Sequence, residues 1–448
     1  MQKKSLLIFT ACLLFTFTQA QNRLWTFQQC LDTALQRNIS LNQSRLNNDL
    51  NRITLEQSRA NLFPYLNASA RDGVGFGRSV NPVTNQYVEK TTNSASFGLN
   101  SSVTLFNGFQ LTRTILQNKM NLDAGKTDVD NVKNQVTLSI TIAYLQVLFD
   151  YEILDAAKSQ ANATAVQVDQ TEKQVKAGTL PESNLYTIRS QQATDNLAIV
   201  NAQSTLDIAK VTLEQLMELP VVDSFDLKVP DFVEPSLMMN KTNQEIYSKA
   251  LTVQPQITGA SIRTSNALLG IKISEGARYP TISLSGAASS NYAVSSRTGV
   301  AASVPTTSPF FPQLWNNLGE SIGLNLSIPI YSNRMIKSNI ERAKVNMLIT
   351  QLSEQDIKLQ LRKTIEQSYT DLKNSIKKYE ATKDQIAAAE LAYNNMDRKY
   401  KVGMATAIDF LIEKNAFYQA QSNGIQAKYD YIFKSRILDF YQGVPITF

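Results

Sequence analysis

The feature that most constrains this chain is that it repeats itself. Ser96-Phe97-Gly98-Leu99-Asn100 returns as Ser321-Ile322-Gly323-Leu324-Asn325, 225 residues later. At the same offset, Val175-Lys176-Ala177-Gly178 returns as Tyr400-Lys401-Val402-Gly403. Phe63-Pro64 matches Tyr279-Pro280 and Ala34-Leu35 matches Ala250-Leu251, both at an offset of 216, so the nine-residue difference falls in a connecting segment. A repeat must be found before any element is assigned, because missing it mis-assigns the whole fold. The chain therefore reads as two copies of one unit, 21–219 and 241–448, joined by a linker over 220–240 that holds Pro220, Pro230 and Pro235.

Within each copy the periodicity changes from helix to strand and back. Residues 26–59 read as one helix, ended by Pro64, which keeps its predecessor out of the helical region. A period of two follows, giving strand pairs over about 62–106 and about 279–331. Ile322, Leu324, Leu326, Ile328 and Ile330 fall on one face, with Ser321, Gly323, Asn325, Ser327 and Pro329 on the other. Phe97, Leu99, Val103 and Leu105 repeat this against Gly98, Asn100, Ser102 and Thr104, and Leu66 and Ile282 begin partner strands. Strands of about ten residues, apolar on one side and small or polar on the other, fit a transmembrane β-barrel with a wet interior. The polar segments 71–94 and 289–319 read as long loops, the second irregular because of Pro305, Pro309 and Pro312.

Each strand pair leads into a long helical hairpin, about 112–217 and about 335–440. The outgoing stretches 112–176 and 335–401 contain no Pro, and Gly125 is their only Gly. About 65 helical residues would reach ~100 Å. Ile365, Tyr369, Leu372, Ile376, Tyr379, Ile386 and Tyr393 keep the spacing of a coiled-coil seam, interrupted by Lys383 and Glu390. Turns at Gly178–Pro181 and Gly403–Thr406 reverse the chain.

The ends and the composition set the compartment. Residues 1–20 read as a secretory signal: Lys3 and Lys4, an apolar run over 6–17, and Thr18-Gln19-Ala20 as the cleavage site. Phe9-Thr10-Ala11-Cys12 is a competing lipoprotein-type box, but the apolar run continues past Cys12. No later segment is read as an apolar membrane-crossing helix. Cleavage leaves Cys30 alone, excluding an intrachain disulfide, and 42 basic against 38 acidic residues, a net charge of +4. The basic residues form no patch interleaved with aromatics, so nucleic-acid binding is unsupported. The chain has no His, which removes His-dependent catalysis and His-ligated metal sites. No catalytic, cofactor-binding or metal-ligating residue is nominated.

Four strands cannot close a barrel, and an open edge in hydrocarbon leaves backbone groups unsatisfied at several kcal/mol each. The chain must therefore oligomerise; two copies give eight strands and three give twelve. At this point the chain resembles the TolC-like outer membrane efflux protein family. The resemblance is carried by Phe63-Pro64 and Tyr279-Pro280, by Leu105-Phe106-Asn107-Gly108 and Pro329-Ile330-Tyr331, and by the doubled turns at Gly178 and Gly403. It implies a homotrimer whose twelve-stranded outer-membrane barrel, four strands per chain, continues into a periplasmic α-helical coiled-coil barrel, with the linker in an equatorial region. It also implies a passive exit duct, embedded in outer-membrane lipid. The duct would open when a periplasmic adaptor and an inner-membrane transporter, of resistance-nodulation-division or ABC type, dock.

The resemblance also marks residues. Asp409 matches a position that forms a carboxylate ring at the periplasmic constriction, Tyr400 matches a tip aromatic, and Asn184 is the uncharged counterpart of Asp409 in the first copy. Gly178, Gly403, Val402, Phe410 and Leu411 are the hairpin-tip and adaptor-docking candidates. Ile412 and Ala405 replace charged residues of some relatives, so closure is expected to rest on packing and hydrogen bonds. The competing reading is a non-pore periplasmic or surface coiled-coil protein that binds partners.

Overall fold

The computed structural model describes residues 24–80, 85–220, 225–230, 241–297 and 309–446. The expected signal (1–20, with Cys12) and most of the linker lie outside them. The elements in chain order are β1 Leu24–Trp25, α1 Phe27–Arg37, α2 Ile39–Ala60, β2 Tyr65–Val80, β3 Tyr87–Asn107, α3 Gln110–Lys176 and α4 Glu182–Leu216. There follow β4 Asp226–Leu227, α5 Asn243–Val253, α6 Pro255–Gly276, β5 Thr281–Arg297, α7 Phe310–Asn316, β6 Gly319–Ser327, α8 Met335–Lys401 and α9 Ala407–Tyr441. They form two compact units, one from 1–46, 127–258 and 356–448, the other from 47–126 and 259–355.

The second of these units holds the four-stranded antiparallel sheet, ordered β2-β3-β5-β6. Its register separates two kinds of side chain. Leu66, Val74 and Phe76 of β2 share a face with Phe97 and Leu99 of β3, Leu284 of β5, and Ile322 and Leu324 of β6. Asn67, Ser69, Asn100, Ser102, Ser285, Ser321 and Asn325 point the other way. The strands span 16, 21, 17 and 9 residues, most of them longer than expected, because 71–80, 87–94 and 289–297 are strand rather than loop. Gly73, Gly75 and Gly77 read as loop composition, but they are every second residue, the small face of β2 opposite Val74 and Phe76. Two face assignments are corrected. A bulge at Leu105 takes it out of register and sets Phe106 beside Ile282, and Ile328 and Ile330 lie beyond the end of β6.

The expected irregular loop is also corrected where it is described. Pro309 precedes α7 and Pro312 sits within its first turn, where the missing N–H removes no helical hydrogen bond. This short helix covers the stretch of β5 that β6 does not reach. Gln313 Nε2 donates to the Ala293 carbonyl (3.2 Å), Asn317 Nδ2 to that of Asn291 (2.7 Å), and Phe310 packs edge-on against Tyr292 and Phe97. An unpaired strand edge is thereby covered.

The first unit is helical apart from the short parallel pair of β1 and β4. The single helix expected over 26–59 is two helices: the backbone leaves the helical region at Asn38 (φ −51°, ψ 122°), whose side chain then caps α2 through the Leu41 N–H at 3.0 Å. The second copy breaks at Gln254, the residue before Pro255. Thr26 with Gln29 and Thr242 with Glu245 open α1 and α5 with the same capping box, so the repeat extends to the caps. Phe27, Cys30 and Ala34 of α1 pack on Ile140, Tyr144 and Leu148 of α3 and on Leu206 and Leu213 of α4. Ile246 and Ala250 of α5 pack on Ile365, Leu372, Ile376 and Tyr379 of α8, the seam expected from the spacing. One stretch of α3 is apolar and long enough to cross a membrane by composition, against expectation; half of it is buried in the chain's own packing.

Candidate functional site: the hairpin tips

Both hairpin tips belong to the first unit and turn on the same backbone device. Gly178 (φ +72°) and Gly403 (φ +75°) are left-handed residues just past the helix ends. The Gly178 N–H donates to the Val175 carbonyl and the Thr179 N–H to that of Gln174, both at 3.0 Å. The Gly403 and Met404 N–H groups repeat the pattern to Tyr400 (3.0 Å) and Lys399 (2.8 Å). These bonds satisfy the last carbonyls of α3 and α8. Beyond the glycine and its chain neighbours, nothing lies within 4 Å of where a Cβ would stand at either position, so the left-handed backbone, not crowding, calls for glycine.

The returning helices start differently. Thr406 Oγ1 accepts from the Asp409 N–H (3.1 Å) and donates to Asp409 Oδ2 (2.7 Å), and Oδ2 also accepts from the Thr406 N–H at 3.3 Å. This box leaves the Asp409 carboxylate exposed at the positive end of α9. In the first copy Pro181 stands where Thr406 stands and offers no side-chain cap, and the half-buried Asn184 donates its N–H to the Pro181 carbonyl at 3.1 Å.

Behind the turn lies a small core of Ile188, Tyr400, Ala407, Phe410 and Leu411. Tyr400 (3% exposed) stacks on Phe410 (2% exposed) with centroids 5.0 Å apart, and its hydroxyl meets Thr171 Oγ1 of the first hairpin at 3.3 Å. Val402 and Met404 are exposed, Met404 to 80%.

The sequence model of the outer membrane efflux protein family matches residues 30–218 and 246–443. The chain belongs to the outer membrane efflux protein family. Among relatives, it is 25% identical over 425 residues to outer membrane protein TolC of Escherichia coli K12, covering 93% of this chain and 81% of that one. It is 23% identical over 352 residues to outer membrane efflux protein BepC of Brucella suis, covering 78% and 72%. Among solved structures, the outer membrane protein VceC of Vibrio cholerae superposes with a TM-score of 0.76 at 14% identity, covering 94% of this chain and 97% of that one. The two matched segments are the two copies of the repeat. The protein is thus an outer-membrane efflux channel of tripartite systems, with its helical part in the periplasm. Its fold class is that of the trimeric channels with a twelve-stranded β-barrel and a helical barrel, four strands from each chain.

Within this efflux-family fold the nominated residues separate. Asp409, Val402, Gly178 and Gly403 are at the tips with side chain or backbone exposed. Tyr400, named for the constriction, and Phe410 and Leu411, named for docking, are buried in the small core behind the turn. Sequence reasoning missed the polar group next to that core. Asp195 of α4 and Lys414 of α9 are each 1% exposed and stand 3.4 Å apart. Thr164 of α3 lies between them, its hydroxyl accepting from Lys414 Nζ and donating to Asp195 Oδ2. Gln160 and Gln191 donate to Asp195 Oδ1 at 2.9 and 2.8 Å. Burial pulls the Lys414 ammonium pKa down, with Asp195 pushing back. Burial also pushes the neighbouring Tyr418 hydroxyl up to about 12. The signal was present: Asp195 is seven residues from both Ile188 and Ala202, inside an apolar seam.

Proposed function

We propose that three copies of this chain form the passive exit duct of a tripartite efflux system, with a constriction at the hairpin tips and no chemistry of its own. The observation that carries this is the two-faced sheet. Its apolar face suits outer-membrane lipid, its small polar face suits an aqueous lumen, and β2 and β6 are edges that only other copies can pair. Pairing β6 of one copy with β2 of the next would also bring α8, which follows β6, beside the α2 that precedes β2. Exposed Val345, Leu348 and Leu352 on α8, and exposed Leu50 and Ile53 on α2, then cover each other.

At the tips, three Asp409 carboxylates would form a ring that attracts cations and excludes anions. The Tyr400–Thr171 hydrogen bond and the Tyr400–Phe410 stack support a closure held by packing rather than by exposed ion pairs. The exposed Val402 and Met404 beside Gly403, and the Gly178 turn, are the surface offered to a periplasmic adaptor. The adaptor in turn would connect the duct to an inner-membrane transporter of resistance-nodulation-division or ABC type.

The test is single-channel recording of the detergent-purified protein in a planar bilayer, with its mass taken in parallel. A trimer giving small, discrete openings, with a closed-state current insensitive to salt beyond bulk conductivity, is expected. A monomer that never conducts would leave the coiled-coil binding protein as the reading.

A further inference from the structure

The buried Lys414–Asp195–Thr164 group joins three helices and both hairpins of the chain, and a stabilising role explains it poorly. Removing two charges from water costs several kcal/mol per ion, and well-packed apolar side chains in place of a buried pair are commonly as stable or more so. What a buried polar group does well is fix register, as a single polar residue at a core position does in a coiled coil. The surroundings meet that description. On α4, Leu185, Ile188, Ala202 and Leu206 are buried on either side of Asp195; on α9, Ala407, Phe410, Leu411 and Ala420 flank Lys414. Sliding α9 by one turn, about 5.4 Å, would set Phe410 or Tyr418 against the Asp195 carboxylate and leave it buried without a cation. Apolar neighbours would tolerate that slip far better. The acceptors on Asp195 are also filled, by Gln160 and Gln191 on one oxygen and by Thr164 and Lys414 on the other, so the group fits in one arrangement only.

We infer that Lys414, Asp195 and Thr164 form a register key. It pins the returning helix of the second hairpin to the first hairpin, so that gate movement is confined to the tip side of the key. On that side lie the small core of Tyr400, Phe410, Leu411, Ala407 and Ile188 and the two glycine turns; on the other side lie the two larger cores. Lys414, Asp195 and Thr164 are positioning residues in this account. The inference rests on reading the tips as a gate, and its test keeps the two separable.

Spin labels at Tyr186→Cys on α4 and Ile408→Cys on α9, both exposed sites, report the spacing of the hairpins in doubly labelled subunits diluted with unlabelled ones. Resting openings are recorded in planar bilayers alongside. The double variant Asp195→Leu/Lys414→Met should assemble as a trimer, broaden the narrow wild-type distance, and raise the resting opening frequency about tenfold. Thr164→Val, a milder change, should raise it about fivefold, which is about 1 kcal/mol at 1.4 kcal/mol per decade. A trimeric double variant with the wild-type distance and opening frequency would overturn the key. Should the double variant fail to assemble, Thr164→Val decides: wild-type distance and openings overturn the key as well. Wild-type protein that never conducts would remove the gate, while the distance measurement still judges the register.

Discussion

The two hairpin tips began as copies, and they now agree in backbone and disagree in side chains. Gly178 and Gly403 have φ values three degrees apart and close their helices with the same pair of hydrogen bonds. Pro181 and Asn184 of the first tip stand at the positions of Thr406 and Asp409 of the second, which make a capping box and display a carboxylate. The lesson is that the turn is a geometric requirement on both copies, whereas the acid of the returning helix is not held in the same place: Asp409 closes the capping box of α9, and the exposed Glu182 opens α4 with no box. A reversal of two long helices needs a left-handed residue wherever it occurs; a ring of carboxylates needs only one contribution from each chain.

That contrast can be broken in graded steps. Gly178→Val and Gly403→Val should cost about the same, at least 1–2 kcal/mol each for a branched residue at positive φ, read as matched drops in the thermal midpoint of the purified trimer. A large difference between them would show that the two turns are not equivalent. Thr406→Ala should then cost about 1 kcal/mol by removing the box, while Pro181→Ala, with no cap to lose, should change stability by less than about half of that. Smallest of all, Asp169→Ala and Asp397→Ala remove the (i, i+4) pairs with Lys173 and Lys401 near each tip, and should shift stability by no more than about 0.5 kcal/mol. An effect above that in one copy only would place an unrecognised role there.

The same two copies show what could be read in the chain and what could not. The long helices, the hairpin turns and the alternation of Ile322, Leu324 and Leu326 were legible, because each follows from one rule of spacing or from glycine's freedom at positive φ. Strand length was not: a lumen face made of Gly73, Gly75, Gly77 and serines has the composition of a loop. The break at Asn38 carries no Pro or Gly to announce it, while its counterpart at Gln254 has Pro255. Pro309 and Pro312 misled in the opposite direction, because proline is tolerated in a first turn. At the tips, the turn marked the glycines and the resemblance marked Asp409, whereas the inward packing of Tyr400, Phe410 and Leu411 is set by contacts between helices far apart in the chain. Asp195 and Lys414 are charges inside the apolar seams of α4 and α9, a signal that the spacing of α8 does not carry.

The most direct measurement is block of the single-channel current by a divalent cation added at the periplasmic mouth, compared across wild type, Asp409→Asn and Asn184→Asp. If the cation site is the ring proposed for Asp409, Asp409→Asn should abolish the block and Asn184→Asp should strengthen it by adding a carboxylate at the matching place in the first copy. Block that survives Asp409→Asn unchanged would contradict the account and place the cation site elsewhere in the duct.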